Sequence, residues 1–274
     1  MRLRWLLIFG LIASAILVTT VLRDRSPIRG EYCTANVGTT LAQVDLEQAR
    51  WSSLMAAIGL RRGLPPRATT IAIATAFQES KLHNIDYGDR DSVGLFQQRP
   101  SQGWGTVEQI SDPHYSIGRF YDGLVKVKGY ASMSITAAAQ KVQRSAYPGA
   151  YAQHENDARA LASALTGYSP ASFSCQVNVS QSGNVDRVNR DVQAAFGKTT
   201  VSPDKVKLSY PMSGLSANKK SRGWALAQYL VANAAQLQIA GISFDGRTWT
   251  AEASPKGWVE DSTAGADTVK VSVS

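Results

Sequence analysis

The chain has 274 residues, of which 44% are hydrophobic and 18% charged. This composition is typical of a chain that folds over most of its length, in about two domains of ~100–200 residues each. The net charge of +8 favours anionic partners. Basic residues are dispersed apart from the pairs Arg61-Arg62 and Lys219-Lys220, which excludes a clustered nucleic-acid-binding surface, so no nucleic-acid partner is predicted.

The N-terminus, residues 1–22, is predicted to be a membrane-targeting segment. No charge occurs from Trp5 to Leu22, and about 18 helical residues rising ~1.5 Å each span ~27 Å, close to the hydrocarbon thickness of a bilayer. Charged residues follow without a small-residue cleavage motif, which favours a retained anchor over a removed signal peptide. Either alternative predicts that the rest of the chain lies outside the cytoplasmic membrane.

Two cysteines occur, Cys33 and Cys175. An export signal with two cysteines predicts a disulfide, because the compartment outside the membrane tolerates it. The alternative is a pair of unpaired buried thiols.

Helical periodicity dominates the middle of the chain. A linker at 23–40 precedes a domain predicted at 41–166, and a loop-rich stretch at 84–105 carries a short β segment near Val93–Gln97. A Ser-rich linker is predicted at 167–183, and helical patterns followed by alternating ones predict a small α+β domain at 184–274. The expected fold class is therefore mainly α, with a lysozyme-like helical domain and a small accessory domain.

Glu79 is the candidate for acid/base chemistry. Cleavage of a glycosidic bond requires a carboxylic acid that still holds its proton near neutral pH. Glu79 ends an apolar helix, where desolvation and the negative end of the helix dipole both disfavour the carboxylate. A glutamate at a helix end is usually solvated surface, so position alone does not identify a catalyst.

The residues around Glu79 and those that follow it form two motifs that strengthen the case for catalysis. Gln78-Glu79-Ser80 is followed by Gly94-Leu95-Phe96-Gln97-Gln98. These motifs resemble the soluble lytic transglycosylase and goose-type lysozyme superfamily, in which a helix ends in Glu-Ser and a Gly-Leu-Met-Gln segment follows. The resemblance covers residues 40–166, with Phe96 in place of Met.

The resemblance implies a lytic transglycosylase that cuts peptidoglycan strands after N-acetylmuramic acid. Glu79 would be the general acid and then the general base, and the sugar's own C6 hydroxyl would form the 1,6-anhydro end. Ser80 and Gln97 would line the sugar cleft, and Gly94 would let the backbone approach the glycan. No cofactor and no metal are implied.

The chain departs from the family in two places. The family's later helix carries Ala-Tyr-Asn, whereas residues 138–145 contain neither Tyr nor Asn; Gln140 or Gln143 would supply the hydrogen bond, and Tyr147 and Tyr151 lie just beyond. The loop at 86–91 adds three aspartates, of which Asp91 and Asp89 are expected to line the cleft. A second carboxylate ~6.5–9.5 Å from the acid would activate water, so hydrolysis by a muramidase stays an alternative.

Further residues bear on substrate and partners. Trp104 is a candidate platform for a sugar ring. The three histidines fit no metal-ligand spacing.

The C-terminal stretch Asp245–Val273 resembles the end of zinc D-alanyl-D-alanine carboxypeptidase-like domains, but no histidine follows His154 to bind zinc. The expected partners are peptidoglycan, the membrane and possible proteins of a wall complex; a non-catalytic wall-binding or scaffold protein is the remaining alternative.

Overall fold

A computed structural model describes residues 30–143, 151–212 and 218–274. The predicted membrane segment, residues 1–22, lies outside the described residues, as does Tyr147. Within the three described ranges no helix is both long and apolar enough to cross a membrane.

The prediction of a mainly α fold is wrong. The structure is about 47% helical and 18% strand, and its strands form antiparallel sheets of three and six strands. The chain is therefore a mixed α+β protein. Alternation predicts strands in the C-terminal part, where the strands Ile239–Phe244, Arg247–Thr250 and Thr268–Val273 occur, but it misses the smaller sheet, whose strands are short and whose outer strand comes from a segment distant in sequence.

The smaller sheet packs mainly against the helix Glu155–Leu165, which in turn packs against the helix that carries Glu79. Its strand order is β2-β1-β3. β1 pairs with both neighbours in antiparallel register, and β3 lies within the stretch that the sequence predicts to be a linker. The strands are β1 (Tyr32–Val37), β2 (Thr40–Val44) and β3 (Phe173–Gln176).

A disulfide joins Cys33 and Cys175, as predicted. The two residues face each other across β1 and β3, with their Cα atoms 3.9 Å apart. Both are buried. The bridge therefore links the two ends of the helical region, which are separated by 142 residues in sequence.

Helices form most of the region between β2 and β3. The side chain of Asp45 caps the first helix by accepting a hydrogen bond from Gln48 N, and Gln48 Oε1 accepts one from Asp45 N, so the two residues form a capping box. Pro65 and Pro66 start the second helix, where a missing N–H costs nothing. The helices are α1 (Leu46–Arg61), α2 (Pro66–Ser80), α3 (Val107–Ser111), α4 (Pro113–Leu124), α5 (Ile135–Gln143) and α6 (Glu155–Leu165), with 3₁₀ turns at Pro100–Gln102, Tyr130–Ser132 and Ala152–His154.

The C-terminal part combines helices with the larger sheet, whose strand order is β4-β5-β9-β6-β7-β8. Its edges are the two-residue strands β4 and β8, and short edge strands limit pairing with other chains. The elements are α7 (Val185–Phe196), β4 (Ser202–Pro203), β5 (Lys207–Pro211), α8 (Lys219–Ala232), α9 (Ala234–Leu237), β6 (Ile239–Phe244), β7 (Arg247–Thr250), a 3₁₀ turn (Ser254–Lys256), β8 (Val259–Glu260) and β9 (Thr268–Val273).

One hydrophobic core connects the helical region with the C-terminal part. The buried side chain of Gln228 on α8 donates to Ala164 O (2.6 Å) and accepts from the backbone of Ser172 and Phe173 (3.0 and 2.8 Å). Trp258 Nε1 also donates to Phe173 O (2.8 Å). The predicted domain boundaries stay a prediction, but the segment between the two parts is held in place by these bonds.

Candidate functional site

Glu79 lies in the last turn of α2, a helix whose earlier turns are almost entirely buried. The helix ends because Lys81 and Leu82 both adopt positive φ angles (54° and 62°). Their amides donate to Phe77 O and Ala76 O (3.0 and 2.9 Å), which satisfies carbonyl groups of the last turn. Glu79 is therefore half-buried at the negative end of a helix dipole.

Two side chains hold the Glu79 carboxyl. The hydroxyl of Tyr151, whose ring is fully buried, donates to Glu79 Oε1 (2.7 Å). Gln143 at the end of α5 forms a second hydrogen bond with the carboxyl, and its Nε2 also donates to Phe96 O (2.6 Å). A buried tyrosine and an amide thus fix the orientation of the carboxyl. The amide belongs to the end of α5, and the tyrosine follows that helix in sequence.

The pKa of Glu79 is raised above its ordinary value. Burial is the larger effect, because it disfavours the charged form, while the hydrogen bonds from Tyr151 and Gln143 act in the opposite direction and lower the pKa. A carboxyl of this kind retains its proton to higher pH than an exposed glutamate does, as a general acid requires.

Tyr151 differs in position from the tyrosine that the family resemblance predicts. The resemblance predicts a tyrosine inside the later helix, whereas Tyr151 follows that helix and immediately precedes the 3₁₀ turn Ala152–His154. The only sequence signal was its position just beyond α5. Contact with Glu79, 72 residues earlier, depends on how α2 packs against the later part of the chain.

Ser80 lies at the very end of α2, and its hydroxyl is buried. It is within hydrogen-bonding distance of Ala76 O (3.1 Å) and Leu95 O (2.8 Å). The bond to Leu95 ties the end of α2 to the Gly-Leu-Phe-Gln segment, which turns back on itself through the bridge between Val93 and Gln98. The two sequence motifs are therefore in direct contact.

Gln97 connects the same segment with the acidic loop. Its φ is positive (47°), and its Nε2 lies near Tyr87 O and Gly94 O (3.2 and 3.3 Å). Its Oε1 accepts from Ser92 Oγ (3.2 Å). These bonds hold the loop 87–92 against the turn. The side chain of Gln97 therefore connects the acidic loop with the Gly-Leu-Phe-Gln segment.

Gly94 is buried and requires glycine for two reasons. Its φ is +78°, and a Cβ would lie 2.9 Å from Ile110 O. We expect Gly94→Ala to lower the free energy of unfolding by about 1–3 kcal/mol from the backbone conformation alone, with a further loss from the contact.

The matched control is Gly38→Ala. Gly38 also has a positive φ (+61°), but nothing lies within 4 Å of its Cβ position. In urea unfolding, Gly94→Ala should lose more stability than Gly38→Ala. Equal losses would mean that the contact with Ile110 contributes nothing.

The aspartates of the loop are placed differently from one another. Asp91 accepts hydrogen bonds from Arg99 Nε (2.7 Å) and from Ser101 N and Oγ (2.8 and 3.0 Å). These bonds, that of Arg99 first, hold the pKa of Asp91 well below its usual range. The side chain of Asp89 is exposed, as is Asp86. Within the described part of the chain, the hydrogen-bond partners of the Glu79 carboxyl are Tyr151 and Gln143 and include none of these aspartates.

Trp104 and Gln143, two predicted substrate-binding residues, line the same groove. Its volume is about 590 Å³. Trp104 is half-buried, and a Cβ on Gly123 would lie 3.8 Å from its Cη2 atom. Tyr115 on α4 donates to Trp104 O (3.1 Å), which fixes the loop that carries the indole. The structure thus places Gln143 both next to Glu79 and in the groove with Trp104, and leaves Asp89 in solvent.

The chain has no match among protein-family models, and none among curated proteins. The family resemblance therefore stays a prediction that depends on the two motifs and their arrangement. Over the described ranges, no three His, Cys, Asp or Glu residues lie together in a group that could hold a metal ion.

Proposed function

We propose that this protein is a peptidoglycan lytic transglycosylase with Glu79 as its general acid and base. The observation that carries the proposal is the carboxyl of Glu79, which is raised in pKa by burial and held by the hydroxyl of Tyr151 at 2.7 Å. The disulfide supports a location outside the cytoplasmic membrane, since such bridges persist in oxidising compartments. Membrane anchoring by residues 1–22 belongs to the same proposal.

The reaction needs a single carboxyl. Protonated Glu79 gives its proton to the glycosidic oxygen between N-acetylmuramic acid and N-acetylglucosamine, and the bond to C1 breaks. The Glu79 carboxylate then takes the proton of the C6 hydroxyl of the muramic acid as that oxygen bonds to C1. The products are a 1,6-anhydro end and a free N-acetylglucosamine hydroxyl, and Glu79 is protonated again.

The bonding of Asp91 favours this route over attack by water activated at Asp91. Asp91 is bonded to Arg99 and Ser101, and Asp86 and Asp89 are exposed. Hydrolysis by inversion requires a carboxylate free to activate water across the sugar from the acid. An aspartate already bonded to an arginine at low pKa is a poor general base.

Digestion of peptidoglycan in H₂¹⁸O, followed by mass spectrometry of the fragments, tests the proposal. We expect fragments that end in 1,6-anhydro-muramic acid, one water lighter than reducing fragments and free of ¹⁸O. Reducing ends that carry ¹⁸O would identify a muramidase instead. Intact strands after prolonged incubation with the full chain would favour a wall-binding or scaffold protein.

Replacing Tyr151 with Phe should change the pH dependence of cleavage. The hydroxyl stabilises the charged form of Glu79, so its loss raises the pKa of Glu79 further. Because catalysis begins from the protonated acid, the limb of the kcat/KM profile that falls with rising pH should move to higher pH.

Tyr168→Phe is the control for this measurement, since Tyr168 is exposed. Its pH profile should match that of the parent. A falling limb that stays in place in Tyr151→Phe, or moves to lower pH, would show that the hydroxyl does not act on Glu79 in solution.

A further inference from the structure

A polar groove is lined by Gln143, one of the two side chains that hydrogen-bond to the Glu79 carboxyl. We name it the basic groove and define it by Trp104, Arg119, Asp122, Lys126, Lys141 and Gln143, with a volume of about 590 Å³. It lies between the loop after the 3₁₀ turn Pro100–Gln102 and the helices α4 and α5.

Gln143 connects the basic groove with Glu79. Its side chain lines the groove and also hydrogen-bonds to the Glu79 carboxyl. The volume of the groove lies within the range of about 300–1,000 Å³ that is usual for pockets holding a small ligand.

The charge of the basic groove is positive. Arg119, Lys126 and Lys141 contribute three cations, and Asp122 is its one carboxylate. That carboxylate is already paired with Arg62, outside the groove, and its other oxygen lies 4.0 Å from Arg119 Nη1. Lys126 and Lys141 are exposed and form no ion pair with any residue that the structure describes.

Arg119 also has an unused donor. Its Nη2 lies 3.5 Å from Gly103 O, but its Nε is buried and has no hydrogen-bond partner among the described residues. The guanidinium therefore adds its charge to the groove, while the exposed Lys126 and Lys141 supply the cations that a ligand can reach.

We propose that the basic groove binds the carboxylates of the peptide stems attached to the muramic acid residues of the strand. This inference rests on the proposed function. The N-acetylated sugars of an intact strand are neutral, so the negative charge of a stem-bearing strand resides in its peptides. The groove thus selects strands with charged stems and holds them so that the neutral glycan lies at Glu79.

Binding of soluble, uncrosslinked strands to the Glu79→Gln protein tests this, because that variant leaves the strands uncut. One sample carries native stems, and a second carries stems whose carboxyl groups have been converted to amides with carbodiimide and ammonia. We expect the native strands to bind about three- to tenfold more tightly at low ionic strength, as two exposed charge pairs would give. The preference should disappear near 1 M salt, where the screening length is ~3 Å.

The variant that tests the groove is Lys126→Gln/Lys141→Gln in the same background. Its preference for native over amidated stems should fall toward one. The matched control is Lys205→Gln/Lys256→Gln, which removes the same charge from exposed positions in the C-terminal part and should keep the preference.

Two results would overturn the inference: no preference for native stems in the Glu79→Gln protein, or an equal loss of preference in the control. Cleavage is measured separately with Glu79 intact. Cleavage without a preference would leave the proposed function standing and remove the stem-binding groove. A preference without cleavage would leave the stem-binding groove standing and remove the proposed function.

Discussion

Replacing Glu79 with Gln is expected to lower the rate of glycan cleavage by about 10²–10⁴-fold, the usual contribution of a general acid or base. Gln has almost the same shape and can still accept the hydrogen bond from Tyr151, but it has no proton to give to the glycosidic oxygen. The measurement is the rate at which soluble fragments appear from purified peptidoglycan.

The same variant should not lose stability. Burial raises the pKa of Glu79, so at a pH between its unfolded and folded values the folded state binds more protons, and stability falls as the pH rises through this interval. A neutral Gln removes that loss. The melting temperature of Glu79→Gln at neutral pH should therefore equal or exceed that of the parent. A lower cleavage rate at an unchanged melting temperature is then not caused by unfolding.

Glu108→Gln is the control for activity. Glu108 is exposed on α3, so its replacement should leave the cleavage rate unchanged. A Glu79→Gln protein that solubilises wall as fast as the parent would show that Glu79 is not the general acid.

The second large effect is expected from the disulfide. Removing it in Cys33→Ala/Cys175→Ala should lower the free energy of unfolding by about 4–5 kcal/mol in the chain-entropy model, because the bridge closes a loop of more than a hundred residues. For a protein of this size the melting temperature should fall by roughly 10–20 °C. Calorimetry and urea unfolding measure both quantities.

Reductant provides an independent check on this prediction. Treatment of the parent with dithiothreitol should lower its melting temperature toward that of the double variant and leave the double variant unchanged. A parent that melts at the same temperature with and without reductant would show that the pairing of β1 with β3 holds the ends of the helical region without the bridge.

The sequence carries enough local information to place Glu79 at the end of an apolar helix. The apolar stretch before it predicts a helix, and the structure has α2 end at Ser80, one residue later. The pairing of Cys33 with Cys175 was also accessible, because two cysteines allow one intramolecular bridge. Helix periodicity is a pattern among neighbouring residues, and the disulfide pairing follows from the presence of two cysteines alone.

The smaller sheet was not accessible in the same way. β1 pairs with β3 across about 140 residues, and these two strands lie in stretches predicted to be linkers. A four-residue strand has too few side chains for its alternation to differ clearly from a loop. The mixed α+β class therefore emerges only when distant segments meet.

What the sequence determined by itself is a carboxyl at the end of an apolar helix and one disulfide. Only the tertiary structure decided which groups surround that carboxyl: Tyr151 donates to it, Gln143 joins it to the basic groove, and Asp91 is bonded to Arg99 instead. The physical reason is that these contacts depend on the packing of α2 against later parts of the chain, and hydrogen bonds between side chains that are far apart in sequence leave no periodic signal within either segment.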